Sequence, residues 1–259
     1  MRMMKKVLGA VTVLALSVSL LAGCGSTAVS PVSSTASTAA ESTTSSVVSE
    51  TTSAAADENA AAAAQLLNDL TGSYQELWPV ILADEYQQTW LDDCTALVGE
   101  ENAEAAFEKL SSMVTGDVYG EDAVEAYANG GGAYFCGFTN DLATLTFDGE
   151  TSTISGTDKD GNVLFSHTYH YIGMEPVHGL YEFESDDADS GEFTYFFLAP
   201  DTSAETYHIE FRYGSDAEAL SQYDAGEYAY WVASGISTDC DQTMIDNCIE
   251  LFCTENLAG

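Results

Sequence analysis

A short run late in the chain, HIEFRYG at residues 208–214, alternates metal-capable or charged side chains with apolar ones. A period of two is typical of a β-strand, and it places His208, Glu210 and Arg212 on one face. An imidazole beside a carboxylate is a pairing suited to binding a divalent metal ion. The residues that alternate with them are expected to pack as core: Ile209, Phe211 and Tyr213.

The segment 191–214 indicates where a third ligand would come from. It reads as a strand, a short connection and a second strand, which is the pattern of a β-hairpin. Because a hairpin brings its two ends together, Asp201 can approach His208 and Glu210. Two carboxylates and one imidazole form a site for a hard or borderline divalent ion. The alternative is an inward polar strip, in which Glu210 pairs with Arg212 or His208.

Few other residues could carry chemistry. The chain has four histidines, and it contains no G-x-S-x-G motif, phosphate-binding loop or dinucleotide-binding motif. His167 and His170 share one strand-like run on opposite faces, so they cannot both bind one ion without a bend. His178 follows Pro176 in a predicted turn. The sequence therefore predicts a binding protein and not an enzyme.

The elements that would position these residues form an α+β domain. Helix-forming or helically spaced residues predict helices in 60–70, 83–99, 100–116, 120–132 and 238–257. Alternation bounded by turn residues predicts strands in 133–139, 144–147, 151–155, 163–172, 179–185, 193–199 and 206–214. Short strands with tight turns favour a small antiparallel barrel, with N-terminal helices and a closing C-terminal helix.

The N-terminus has the pattern of a bacterial lipoprotein. Residues 1–23 combine a basic start with a short apolar run, and they end in Leu-Ala-Gly before Cys24, which resembles a lipobox. Such chains are cut before the cysteine, so Cys24 is the expected lipidation site. Residues 24–57, rich in Ser, Thr and Ala, predict a disordered tether. Residues 58–259 are then expected to form one domain on the extracytoplasmic face of the cell membrane.

Composition narrows the choice of partners. The chain has 42 acidic residues against 6 basic ones, which argues against binding nucleic acid or anionic lipid. A strongly acidic surface of this kind either keeps the protein soluble or attracts cations. Five cysteines follow the leader, an odd number, so at least one is unpaired or pairs between chains: Cys94, Cys136, Cys240, Cys248 and Cys253. Their spacing favours small buried apolar residues over a metal or redox site.

Residues 66–259 resemble the ZinT (YodA) family, the lipocalin-like zinc-recruitment domains of bacterial envelopes. The resemblance rests on motifs in order along the chain: LLNDLTGSYQELWPVI, FSHTYHYIG, GLYEFESDDADSGEFTYFFLAPD, YHIEFRYGSDAEAL and YAYWVASGI. It implies a calycin-type barrel. Carried over by position, the family's three zinc-binding histidines fall on Asp201, His208 and Glu210, so two of them are replaced by carboxylates, and the family's histidine-rich loop is missing. Tyr74 stands where the family usually has Trp.

Together these observations predict a lipid-anchored protein that binds zinc or another divalent cation and passes it to a membrane metal importer. His208 and Glu210 would be ligands at the barrel mouth, and Arg212 would balance the carboxylates through paired hydrogen bonds. The alternatives are a lipocalin-like lipoprotein that binds a small organic ligand after losing the metal site, and a structural lipoprotein with no ligand. An aromatic interior would support the organic ligand: Tyr134, Phe135, Phe138, Phe193, Phe196 and Phe197.

Overall fold

The architecture is a closed antiparallel β-barrel with helices packed against its outer wall. A computed structural model describes residues 58–130, 132–200 and 206–258. Its strands are β1 (Gly72–Glu76), β2 (Thr144–Asp148), β3 (Thr153–Thr157), β4 (Val163–Met174), β5 (Tyr181–Ser185), β6 (Tyr195–Leu198), β7 (His208–Gly214) and β8 (Ala233–Ser237). They pair in chain order, and β8 closes the barrel on β1. The predicted α+β barrel is confirmed.

Helices precede, interrupt and follow the strands. They are α1 (58–69), α2 (Leu77–Ile81), α3 (Gln87–Val98), α4 (Ala103–Val114), α5 (Glu121–Ala128), α6 (Ala217–Leu220) and α7 (Gln242–Leu257). Every stretch predicted to be helical overlaps one of them. In the described part of the chain, no helix is long and apolar enough to cross a membrane. Residues 1–57 lie outside the described residues, so the leader, the tether and lipidation at Cys24 stay predictions.

Aromatic side chains fill the barrel. On β7, Phe211 and Tyr213 are 0% exposed and belong to the barrel core. Phe196 of β6 lies against both, with ring centroids 6.3 Å from Phe211 and 5.4 Å from Tyr213. The apolar face of α1 joins the same core at helical spacing through Ala63, Leu66 and Leu67, and Leu70 joins it directly after the helix. The interior is therefore a packed core.

A second core joins the helices to the outer wall of the barrel. Ile236 of β8 is fully buried in it, together with residues of α2, α3, α4 and α7. At its centre, Trp90 packs against Phe107 of α4 and Phe252 of α7, with ring centroids 5.5 Å and 6.0 Å away. The Trp90 Nε1 group donates to the carbonyl oxygen of Ile81 at 2.8 Å. These contacts hold α7 against the barrel.

The strand predictions were wrong in two respects. β1 and β8 were not predicted as strands, although each pairs with the other and closes the barrel. The run 133–139 was predicted as a strand, but in it Phe135 forms only isolated bridges. Two of its backbone donors bond to side chains from elsewhere: Phe138 N donates to Glu76 Oε1 at 2.6 Å, and Thr139 N to the Tyr213 hydroxyl at 2.6 Å. A strand ladder would need those same donors.

Candidate metal centre

Strand β7 turns His208 and Glu210 toward the outside of the barrel. Ile209 and Phe211 are buried in the barrel core, so the alternation of the strand directs the residues between them outward. His208 and Glu210 accordingly line the same cleft. This is the shared face that the HIEFRYG pattern predicts. The site was expected at the barrel mouth. It lies instead on the outer wall, where helices α2 and α7 cover β7.

The cleft lies between β7 and helices α2 and α7, and its volume is about 30 Å³. Besides His208 and Glu210, it is lined by Leu77, Trp78, Ile81, Cys248, Leu251, Phe252 and Glu255. A buried space needs roughly 10–15 Å³ to hold one water molecule, so the cleft admits an ion or a water but no drug-sized molecule. Four polar side chains therefore share its wall with apolar ones: His208, Glu210, Cys248 and Glu255.

The ring of His208 is held by Thr206. The Thr206 Oγ1 and His208 Nδ1 atoms are 2.6 Å apart. Thr206 is in turn contacted by α7, because the Cys248 thiol donates to its carbonyl oxygen at 3.2 Å. When Nδ1 carries the proton and donates to Thr206, Nε2 presents the lone pair that a metal ion requires. The periodicity of α7 puts Cys248 on its buried side, but no sequence signal linked it to Thr206.

Burial favours the protonated form of two thiols near the site. Burial, followed by the charge of Cys240, raises the pKa of Cys248 to about 12. Burial also raises the pKa of Cys136 well above its usual range, and the nearby carboxylate of Glu210 raises it further. A thiol must lose its proton to ligate a metal. In the metal-free protein, Cys136 and Cys248 are therefore neutral packing groups, and His208 and Glu210 are the better candidates.

The predicted ligand set is described only in part. Among residues 58–130, 132–200 and 206–258, no three His, Cys, Asp or Glu side chains converge in a geometry that holds a metal ion. His208 and Glu210 supply two of the three predicted ligands. The third, Asp201, lies outside the described residues, so its approach to the other two stays a prediction.

The predicted role of Arg212 was wrong. Its side chain is 0% exposed, and its guanidinium donates to three backbone carbonyl oxygens, those of Leu220, Gln222 and Tyr228. The ring of Tyr223 lies 4.2 Å from its Cζ atom. Arg212 therefore holds the segment that follows β7, and among the described residues no carboxylate accepts the paired hydrogen bonds that were expected. Its partners are backbone atoms, for which the sequence has no signal.

The histidines of β4 belong elsewhere. His167 Nδ1 lies 2.8 Å from Asp187 Oδ2, and His170 Nδ1 lies 2.8 Å from Asp186 Oδ1. Each histidine thus has its own aspartate, in agreement with the prediction that they face opposite sides of the strand. Strands β5 and β6 separate β4 from β7 in the barrel. His170, with its side chain 53% exposed, is useful below as a control residue.

Comparison with known proteins gives a distant likeness. No protein-family model matches the chain, and no curated protein matches it. One similar solved structure is the Zn(II)-bound ZinT-like domain of Streptococcus pneumoniae AdcA, at TM-score 0.45 and 16% identity, over 71% of this chain and 89% of that chain. Another is Zn(II)-bound AdcA from Streptococcus pneumoniae, at TM-score 0.42 and 15% identity, over 72% of this chain and 35% of that chain. Likeness at this level does not identify a ligand.

Proposed function

We propose that this chain is a lipid-anchored protein of the extracytoplasmic membrane face that captures zinc, or a similar divalent cation, for uptake. The observation that carries the proposal is the presence of His208 and Glu210 in one ion-sized cleft. Imidazole nitrogen and carboxylate oxygen are both accepted by zinc. The protein would act by reversible coordination, without chemical change of a substrate, and would pass the ion to a membrane importer.

The ligand set determines what kind of site this would be. Zinc sites with an exchangeable position hold three protein ligands and a water molecule. Asp201 is the proposed third ligand beside His208 and Glu210. One imidazole and two carboxylates favour harder ions than three imidazoles do, although zinc still binds more tightly than manganese in the usual divalent order. The excess of acidic residues would raise the concentration of cations near the protein.

Removing either described ligand should weaken zinc binding. We expect His208→Ala and Glu210→Gln each to raise the zinc Kd at least tenfold, about 1.4 kcal/mol or more, because each removes one of few direct donors. Calorimetric titration of zinc into the chelator-stripped full chain in detergent measures the Kd. Thermal melts give an independent reading, since an ion that binds only the folded state raises the melting temperature.

The matched control is His170→Ala. It also removes an imidazole that lies beside carboxylates, from an exposed site on β4. Its zinc Kd should equal that of the unmutated chain. If all variants bind zinc equally well, the acidic surface collects ions nonspecifically and the site at His208 and Glu210 does not exist.

A second cleft favours the small-ligand alternative, although not inside the barrel. Its volume is about 340 Å³, within the roughly 300–1,000 Å³ typical of small-molecule sites. Its wall is mostly apolar: Glu76, Trp78, Pro79, Leu82, Val114, Thr115, Gly116, Phe135, Cys136 and Gly137. Small apolar ligands that quench the fluorescence of Trp78 saturably, equally in the unmutated chain and in His208→Ala, would support this function.

Anchoring is tested at Cys24. We expect Cys24→Ser to move the protein out of the membrane fraction or to leave its leader uncleaved, because the lipid acceptor is gone. Fractionation and intact-mass measurement distinguish the two results. Cys240→Ser is the control, and it should stay lipidated and membrane-bound. A Cys24→Ser protein that remains processed and fully membrane-bound would refute lipidation at this residue.

A further inference from the structure

Two buried thiols meet where α3 packs against α7. The Sγ atoms of Cys94 and Cys253 are 3.9 Å apart, although the residues are separated by 159 positions in the sequence. Both side chains are 0% exposed. Their surroundings are rigid aromatic core, since Trp90 and Phe252, from the same two helices, pack against each other. The pair therefore joins two helices that are distant in sequence at a fixed point.

We propose that Cys94 and Cys253 are a disulfide-forming pair that covalently links α3 to α7. A disulfide needs its sulfur atoms about 2.05 Å apart and its Cβ atoms about 3.8 Å apart. Sulfur atoms already in contact across two packed helices can reach this geometry by side-chain rotation and a small helix approach. Two of the other three described thiols bond elsewhere: Cys136 contacts the carbonyl oxygen of Tyr134, and Cys248 that of Thr206.

The reaction is thiol–disulfide exchange with a disulfide oxidant, such as glutathione disulfide. The thiolate of one cysteine attacks the oxidant, forms a mixed disulfide and releases one thiolate. The thiolate of the second cysteine then attacks the mixed disulfide and releases the other. Two protein thiols lose two protons and two electrons, and the oxidant is reduced to two thiols.

Burial determines when this bond can form. In the folded protein both thiols are shielded, and burial raises the pKa of Cys94 and of Cys253, so little thiolate is available. The exchange must therefore occur during folding, before α3 and α7 close. The same shielding then protects the bond from reductants. Because α7 also forms a wall of the cleft at His208 and Glu210, the bond would fix that wall, yet it does not depend on metal binding.

Peptide mapping tests the proposal. The full chain in detergent is refolded in reduced and oxidised glutathione, its remaining thiols are alkylated, and it is cut with a glutamate-specific protease. Cleavage at glutamates releases Cys94 in peptide 86–100 and Cys253 in peptide 251–255. We expect mass spectrometry to find these two peptides joined, and separated after reduction. Reducing the refolded protein should also lower its melting temperature by about 5 °C or more, since the bond closes a long loop.

Variants distinguish the effect of the disulfide from the effect of core packing. Cys94→Ala and Cys253→Ala should each remove the joined peptides and make the melting temperature insensitive to reductant. Cys136→Ala removes another buried thiol. It should keep the joined peptides and a melting temperature that falls on reduction. Cys94 and Cys253 both recovered as alkylated thiols after refolding, or either one joined to a different cysteine, would overturn the proposal. The map of the unmutated chain decides the question even if Cys94→Ala fails to fold.

Discussion

Replacing Arg212 with leucine should lower the free energy of unfolding by about 3–5 kcal/mol, because buried carbonyl oxygens would lose their hydrogen-bond donor. The fully buried guanidinium donates to the buried carbonyl oxygens of Leu220 and Tyr228 and to the part-buried carbonyl oxygen of Gln222. Leucine would leave those acceptors without a donor, and each unsatisfied buried group costs about 1–3 kcal/mol. Urea unfolding followed by tryptophan fluorescence measures the change.

Two further variants test whether the geometry of the guanidinium, and not its charge alone, is responsible for the stabilisation. Arg212→Lys should also destabilise the protein strongly, because one ammonium cannot reach three carbonyl groups as a planar guanidinium does. The control is Lys159→Leu, since Lys159 is 82% exposed and pairs with Asp160 at 2.9 Å on the surface. It should change stability by no more than about 0.5 kcal/mol. An Arg212→Leu effect as small as that of Lys159→Leu would contradict the anchoring role.

Local patterns account for what the sequence could predict. Alternation in residues 208–214 is a property of neighbouring residues, and it suffices to separate Ile209 and Phe211 from His208 and Glu210. Helical spacing in the last segment likewise predicts a helix with one buried side. Turn residues between short strands then favour an antiparallel barrel. Each of these inferences needs only contacts within a few positions along the chain.

The failures depend on contacts between distant residues. The run 133–139 has the composition of a strand, yet Glu76 and Tyr213 bond its backbone from 62 and 74 positions away. β8 consists mostly of small residues, and nearly all of them are buried, so its sequence shows no alternation. Only its pairing with β1 and β7 defines it as a strand. No local pattern carries such information.

The candidate site shows the same division. Alternation places His208 and Glu210 on one face, but it does not say whether that face is inside the barrel or outside. That choice follows from the aromatic rings of Phe196, Phe211 and Tyr213, which fill the interior and exclude polar groups. The helices α2 and α7 then enclose the outer face as a cleft. Location therefore depended on the packing of the whole domain, whereas the placement of His208 and Glu210 on one face followed from local alternation.

Truncating Phe211 to alanine should lower the free energy of unfolding by about 3–5 kcal/mol, because it removes a buried ring and leaves a cavity that its neighbours cannot close. The ring is 0% exposed, with centroids 5.4 Å from Phe138 and 5.8 Å from Tyr213. Urea unfolding measures the loss. Phe211→Leu, which keeps much of the volume, should lose no more than about 1.5 kcal/mol.

This pair of variants also decides whether the barrel interior is a ligand cavity. A side chain that borders open space has fewer neighbours to lose, so a cavity would make Phe211→Ala little worse than Phe211→Leu. A packed interior gives a large difference, and it also gives the alanine variant a new apolar cavity that can bind benzene, as engineered apolar cavities do. We therefore expect benzene to raise the melting temperature of Phe211→Ala and to leave that of the unmutated chain unchanged. Benzene stabilising both proteins equally would instead place an organic ligand in the natural barrel, and the metal proposal would then have to stand on zinc titration alone.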